Sequence, residues 1–288
     1  MDFIFNVLTD AITDSIKVFP FLFLIYVLME AIENASNKEK IERALTGKLA
    51  PVVSGTLGII PECGFSVMCA KLYDDGFIRT GTLIAAFIST SDEGLIVLLS
   101  NGTAFTAVLN LFLWKLTFAV AIGFIVNAAA KKLDVKHVCP VRGECVECGE
   151  HTEKFWQTYI LHPFYHAGKT FLYVLALNVV FGLAFELIGK ENVTAFLKSG
   201  EYLHPIAAAL VGLIPNCASS IVIAQSYLSG ALSFPGLAAG LSANAGIGVL
   251  MIFKSKKSFG RGVAVMLIQF VAALVIGYAA MLMLKITG

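Results

Sequence analysis

Two segments of the chain place a thiol two positions after a proline: Gly58-Ile59-Ile60-Pro61-Glu62-Cys63-Gly64-Phe65-Ser66 and Gly212-Leu213-Ile214-Pro215-Asn216-Cys217-Ala218-Ser219-Ser220. A third segment, Ser89-Thr90-Ser91-Asp92-Glu93, sets hydroxyls and two carboxylates inside an apolar run, and a fourth contains Ser242 and Asn244. Glu62, Cys63, Ser66, Ser89, Ser91, Asp92, Glu93, Asn216, Cys217, Ser220 and Asn244 are the candidate binding residues. Carboxylate, amide and hydroxyl oxygens suit hard or intermediate cations such as Mn²⁺. Asp92, Glu62, Cys63 and Cys217 are the strongest metal ligands among them, the thiols extending the range toward softer ions or arsenic(III)-like species. The half-helix N-termini that follow each proline favour anions instead. Three nearby carboxylates oppose an anion unless protonated, and a carboxylate at membrane depth is also a usual carrier of coupled protons.

Each residue also has a plainer role. Cys63 fits a packing position, although its twin Cys217 argues against chance. Glu62 can cap the half-helix after it. Glu93 projects roughly 100° away from Asp92 on a helix and can simply pair with a neighbour. Asn216 and Asn244 can satisfy interrupted backbone. Cys69, six residues after Cys63, reads as packing, and Tyr73 and Tyr227 read as markers of the membrane interface. Asp92 has the least structural excuse: a mid-span charge costs at least roughly 2.5–3.5 kcal/mol on insertion scales.

A second constellation, Cys139, Cys145, Cys148 and His151, offers four soft or borderline ligands in a polar stretch. Such a set can fold around Zn²⁺ or a similar ion, although its spacing matches no standard zinc finger. A loop of free thiols is the alternative.

These residues sit in a chain of 288 residues, 57% hydrophobic and 14% charged, with a mean hydropathy of +0.80. A soluble domain carries about 25% charged residues. The balance excludes a soluble enzyme, a disordered chain and a nucleic-acid binder, and leaves an all-α polytopic membrane protein. A spanning helix needs roughly 20 mainly apolar residues. Val18–Glu33, Gly81–Leu99, Phe105–Ala130, Thr170–Ile188, Pro235–Phe253 and Gly262–Leu284 meet that condition. Residues 49–73 and 205–227 are apolar too, but each is broken at its proline, so each reads as a re-entrant hairpin of half-helices. The count is six spans plus two hairpins, or ten if the hairpin arms are counted.

The chain also matches itself at an offset of 154 residues. Pro51, Gly58, Pro61, Cys63, Ser66, Tyr73, Gly76 and Gly94 fall on Pro205, Gly212, Pro215, Cys217, Ser220, Tyr227, Gly230 and Gly248. Composition alone does not align Pro, Cys, Tyr and Gly. The expected organisation is a first repeat over 1–130, a loop over 131–158 carrying the Cys/His set, and a second repeat over 159–288. Each repeat holds one span, a hairpin and two more spans. An odd number of crossings inverts the second copy, the plan of secondary transporters, whose sites lie at matching interruptions of the two halves.

Lysines and arginines cluster at 38–48, 71–79, 131–154 and 254–261, which fall on one side in this topology. That side is expected to be cytoplasmic, with both termini outside and no cleavable signal. Residues 36–47 read as a short surface helix.

The segments Gly-Ile-Ile-Pro-Glu-Cys-Gly-Phe-Ser-Val (58–67), Gly-Thr-Leu-Ile-Ala-Ala-Phe-Ile-Ser-Thr-Ser-Asp-Glu (81–93) and Ile-Pro-Asn-Cys (214–217) resemble the ten-helix heavy-metal exporter family. Its members are also labelled manganese transporters or arsenic efflux proteins. The resemblance covers most of the chain from about Phe19 onward and implies a secondary transporter of the inner, or plasma, membrane.

The expectation is a secondary-active exporter of a divalent or heavy-metal cation, with its site at the midplane between two hairpin tips and two opened helices. One alternative is an H⁺- or Na⁺-coupled transporter of an organic or oxyanion substrate; another is a membrane metal sensor using the Cys/His loop. No enzyme is expected, because no nucleophile–base set or phosphate loop is recognisable. No cofactor is required beyond a metal at the loop and H⁺ or Na⁺ as coupling ion. The expected partners are the bilayer, a small inorganic ion or solute and a second copy of the chain, with no nucleic acid.

Overall fold

The structure, a computed structural model, describes residues 47, 49–58, 63–90, 93–100, 105–130, 133–134, 202–253 and 259–287, with isolated positions between 9 and 27 and between 161 and 200. The described elements are all helices: α1 (Ala50–Leu57), α2 (Cys63–Asp74), α3 (Thr80–Ser89), α4 (Glu93–Ser100), α5 (Phe105–Ala129), α6 (His204–Gly212), α7 (Cys217–Leu228), α8 (Phe234–Ala243), α9 (Gly248–Phe253) and α10 (Phe259–Thr287). The expected spans Val18–Glu33 and Thr170–Ile188 fall largely outside the described residues, as does the loop 131–158 apart from Leu133 and Asp134.

Prolines set several of the boundaries. Pro51, Pro205 and Pro235 stand in the first turns of α1, α6 and α8, where a missing N–H costs nothing. Pro215 lies between α6 and α7, where it has no N–H with which to continue a helix. The arms are short. α1 and α2 have 8 and 12 residues, and α6 and α7 have 9 and 12. At about 1.5 Å per residue none crosses a hydrocarbon core of about 30 Å.

Four stretches are long and apolar enough to cross: Thr80–Ser100, Phe105–Ala129, Phe234–Phe253 and Phe259–Ile286. They agree with the expected spans to within a few residues. The first and third are interrupted, one between α3 and α4 and the other between α8 and α9, as the Ser, Thr and Gly content of both segments suggests. The interruption also decides where each span lies. The broken stretches are 80% and 89% buried within the protein, whereas α5 and α10 are 28% and 39% buried. Opened backbone in a membrane must be covered by protein. The unbroken helices take the perimeter, where Leu267, Val271, Val275 and Leu282 of α10 face outward.

Packing follows the same offset as the sequence. α2 and α3 reappear as α7 and α8 with bounds displaced by 154 residues. Gly123 of α5 lies against Pro51 and Ala85, and Gly277 of α10 against Pro205 and Ala239. Small residues at these crossings let backbones approach closely, as membrane helix pairs require. The turns after α2 and α7 also coincide: Gly76 and Gly230 adopt φ of 79° and 73°, left-handed values that glycine takes without strain. Their N–H groups donate to Tyr73 O and Tyr227 O, each at 3.0 Å.

Tyr73 is covered by protein at the end of α2. Its side chain is fully buried, because its hydroxyl finds a partner inside by donating to Leu133 O at 2.6 Å. Nearby, Asp134 Oδ1 accepts from the backbone N–H and the hydroxyl of Thr80 at 2.9 and 2.8 Å, capping the start of α3. Asp134→Ala is therefore expected to lower stability by about 1 kcal/mol, read as a fall in the thermal midpoint of detergent-purified protein.

Candidate functional site at the paired helix interruptions

The interruptions meet in the core through residues contributed by both halves. α4 packs on α7, and α9 packs on α2. The contacts are reciprocal. A Cβ on Gly94, at the start of α4, would lie 2.7 Å from Ser220 O in the first turn of α7. A Cβ on Gly248, at the start of α9, would lie 2.6 Å from Ser66 O in the first turn of α2. Four helix N-termini therefore associate as two cross-half pairs. Each terminus carries partial positive charge and N–H groups that have no partner within the helix itself.

Polar side chains complete the surroundings. Asn216 has extended backbone at the N-cap of α7, and its Oδ1 accepts from Ala218 N at 3.0 Å. Ser219 Oγ bonds to Ile214 O and Asn216 O at 3.0 and 2.7 Å. Asn244 Oδ1 accepts from Gly246 N at 2.8 Å, while its Nδ2 reaches Ser219 Oγ at 3.5 Å. Both asparagines thus hold the interrupted backbone in shape, the plainer of their two roles, and link the α7 tip to the α8–α9 break. Ser66 and Ser220 are fully buried. Ser89 Oγ bonds to Ala86 O at 3.0 Å and lies where a side chain at Gly58 would fall. Cys69 is buried at 3% exposure, a packing residue as expected.

Glu62, Ser91, Asp92, Cys139, Cys145, Cys148 and His151 lie outside the described residues, as do the side chains of Cys63, Glu93 and Cys217. Cys63, Glu93 and Cys217 are placed by backbone as the first residues of α2, α4 and α7. Among the described residues no three His, Cys, Asp or Glu side chains gather.

Two residues at the site were passed over in the sequence. Lys115, near the middle of α5, is 4% exposed, and its Nζ donates to Thr90 O at 2.8 Å and Leu241 O at 3.0 Å. Thr90 directly follows α3 and Leu241 is in the last turn of α8, so one ammonium joins both broken spans. Gln269 of α10 is fully buried and donates through Nε2 to Ser242 O at 2.6 Å. It stands 154 residues after Lys115. The signal that finds both is a polar residue mid-span at equivalent positions of the two halves.

The family profile described as "Putative, 10TM heavy-metal exporter" matches residues 1–173 and 169–286. The chain belongs to this family. It is thus placed among multi-pass membrane transporters, in a family described by metal export and not by an enzymatic activity. No match was found among curated proteins or among solved structures.

Proposed function

We propose that this member of the heavy-metal exporter family is a secondary-active exporter of a divalent or heavy-metal cation. It would be built as two inverted repeats, with α1–α2 and α6–α7 as re-entrant hairpins. The observation that carries the reading is the pairing of interrupted helices from opposite halves, with Gly94 against Ser220 and Gly248 against Ser66. Interruptions at matching positions of two repeats are where secondary transporters bind their cargo. Asp92 and Glu62 would ligate the ion or exchange it for protons. Cys63 and Cys217 would add soft ligands, and Ser66, Ser89, Ser91, Glu93, Ser220, Asn216 and Asn244 would complete the surroundings.

The cytoplasmic side would carry the 131–158 loop, whose Cys139, Cys145, Cys148 and His151 would capture metal before transport. Both termini would then face outward. Alternating access would come from one half rocking on the other around the paired tips, exposing the ligands first to one side and then to the other. A homodimer and H⁺ or Na⁺ coupling belong to the same proposal.

Purified protein in proteoliposomes, loaded in parallel with Mn²⁺, Zn²⁺, arsenite and a panel of organic and oxyanion substrates, tests the substrate class. Flux of a metal ion, competed by other metals and indifferent to the anions, is the expected result. Flux confined to the anions overturns the cation assignment. Loss of all metal flux on deleting the loop would point to the loop instead of the core as the functional element.

A further inference from the structure

We propose that Lys115 is a tethered cation, its ammonium occupying a monovalent-cation seat made by the carbonyls of the two broken spans. The proposal deepens the transporter reading, on which its significance rests.

Two of the groups around the ammonium are main-chain carbonyls, one from each half. Thr90 O follows the last turn of α3 and Leu241 O belongs to the last turn of α8. Both lie at the C-terminal ends of interrupted helices, where partial negative charge gathers and carbonyls are released from the helical ladder. Unwound carbonyls and half-helix C-termini of this kind coordinate the Na⁺ or H⁺ of secondary transporters. Here they accept from Nζ at 2.8 and 3.0 Å, and Lys115 as a whole is 4% exposed.

A plain bracing role would also put a donor at a helix end, and the equivalent position separates the two readings. Gln269 braces the end of α8 through Ser242 O at 2.6 Å with a neutral amide. Bracing one broken span therefore needs an N–H and not a charge. Lys115 differs in carrying a charge and in reaching one acceptor from each half. The neutral counterpart leaves oxygens over: Gln269 Oε1 and Ser242 Oγ are buried acceptors without a hydrogen-bond partner. The two equivalent places thus differ in type, one filled by an ammonium and the other rich in oxygen. A cation fixed to the chain neutralises the carbonyls at every stage of the cycle, whereas a dissolved ion would have to be carried with the cargo.

The test needs no transport substrate, so it stands apart from the metal-flux panel. Full-length wild type, Lys115→Ala and Lys115→Met are purified in detergent. Their thermal midpoints are compared in sodium, propylammonium and choline chlorides at matched ionic strength. A small cation that refills the seat stabilises the folded state by mass action. The two variants are expected to gain about 2–4 °C or more, saturably, in sodium or propylammonium over choline. Wild type should gain less than that. Equal midpoints in all three salts overturn the proposal, as does an equal gain in wild type. If a variant cannot be recovered folded in choline, its recovery in sodium or propylammonium supports the proposal, and failure in all three overturns it.

Discussion

If Asp92 ligates the cargo as proposed, replacing it with asparagine is expected to reduce metal flux on the order of 10- to 100-fold while the protein stays folded in the membrane. Removing a charged partner from a desolvated contact costs roughly 1.5–3 kcal/mol, and each 1.4 kcal/mol is about tenfold in affinity. Asparagine keeps the shape and one oxygen but loses the charge. A carboxylate at membrane depth is unfavourable by itself, at least roughly 2.5–3.5 kcal/mol on insertion scales. An unchanged or raised thermal midpoint should therefore accompany the loss of flux. Undiminished flux would remove Asp92 from the site. A lowered midpoint with proportionate flux would make it a structural residue.

The second large effect concerns Gly248. A methyl group there would approach Ser66 O and Ser66 C at 2.6 Å and Ser66 Cβ at 2.7 Å. Two of those atoms are backbone in the first turn of α2 and cannot rotate aside. Gly248→Ala is expected to cost about 1–3 kcal/mol, and Gly248→Val more, because overpacking forces backbone shifts. Gly94→Ala, against Ser220 O and Ser220 C at 2.7 and 2.9 Å, should behave alike. The midpoint in detergent reads both. Gly260, with nothing within 4 Å of an added Cβ, is the control, and Gly260→Ala should melt like wild type. A Gly248→Ala variant as stable as that control would show that the cross-half contact is loose.

The spans and their breaks were legible because both are local. Hydropathy marks the length of Phe105–Ala129, and the run of Ser, Thr, Asp and Glu at 89–93 interrupts the helix where it stands. The 154-residue offset was legible because proline and glycine constrain backbone, and the bounds of α2 and α3 and the turn at Gly76 recur 154 residues later. Lys115 was not, for two physical reasons. Averaged over a long apolar helix, one lysine scarcely lowers the hydropathy. Its acceptors are main-chain carbonyls of Thr90 and Leu241, which any residue type supplies. The pairing of Gly94 with Ser220 was likewise hidden, since a glycine in an apolar helix does not say which backbone it admits. The partner of Tyr73 was hidden for the same reason, since its hydroxyl bonds a main-chain carbonyl, that of Leu133.

The reciprocal glycine–serine contacts also bear on how the chain is made. The covering that α4 needs is α7, and α7 leaves the ribosome only after the loop and the whole start of the second half. At about 5–20 residues per second, that interval is on the order of 10 s. During it α4 lacks its contact with α7, while Lys115 of the same half is already available to Thr90 O. Slowing synthesis between the halves should raise degradation of the full chain more than slowing it after α10 would.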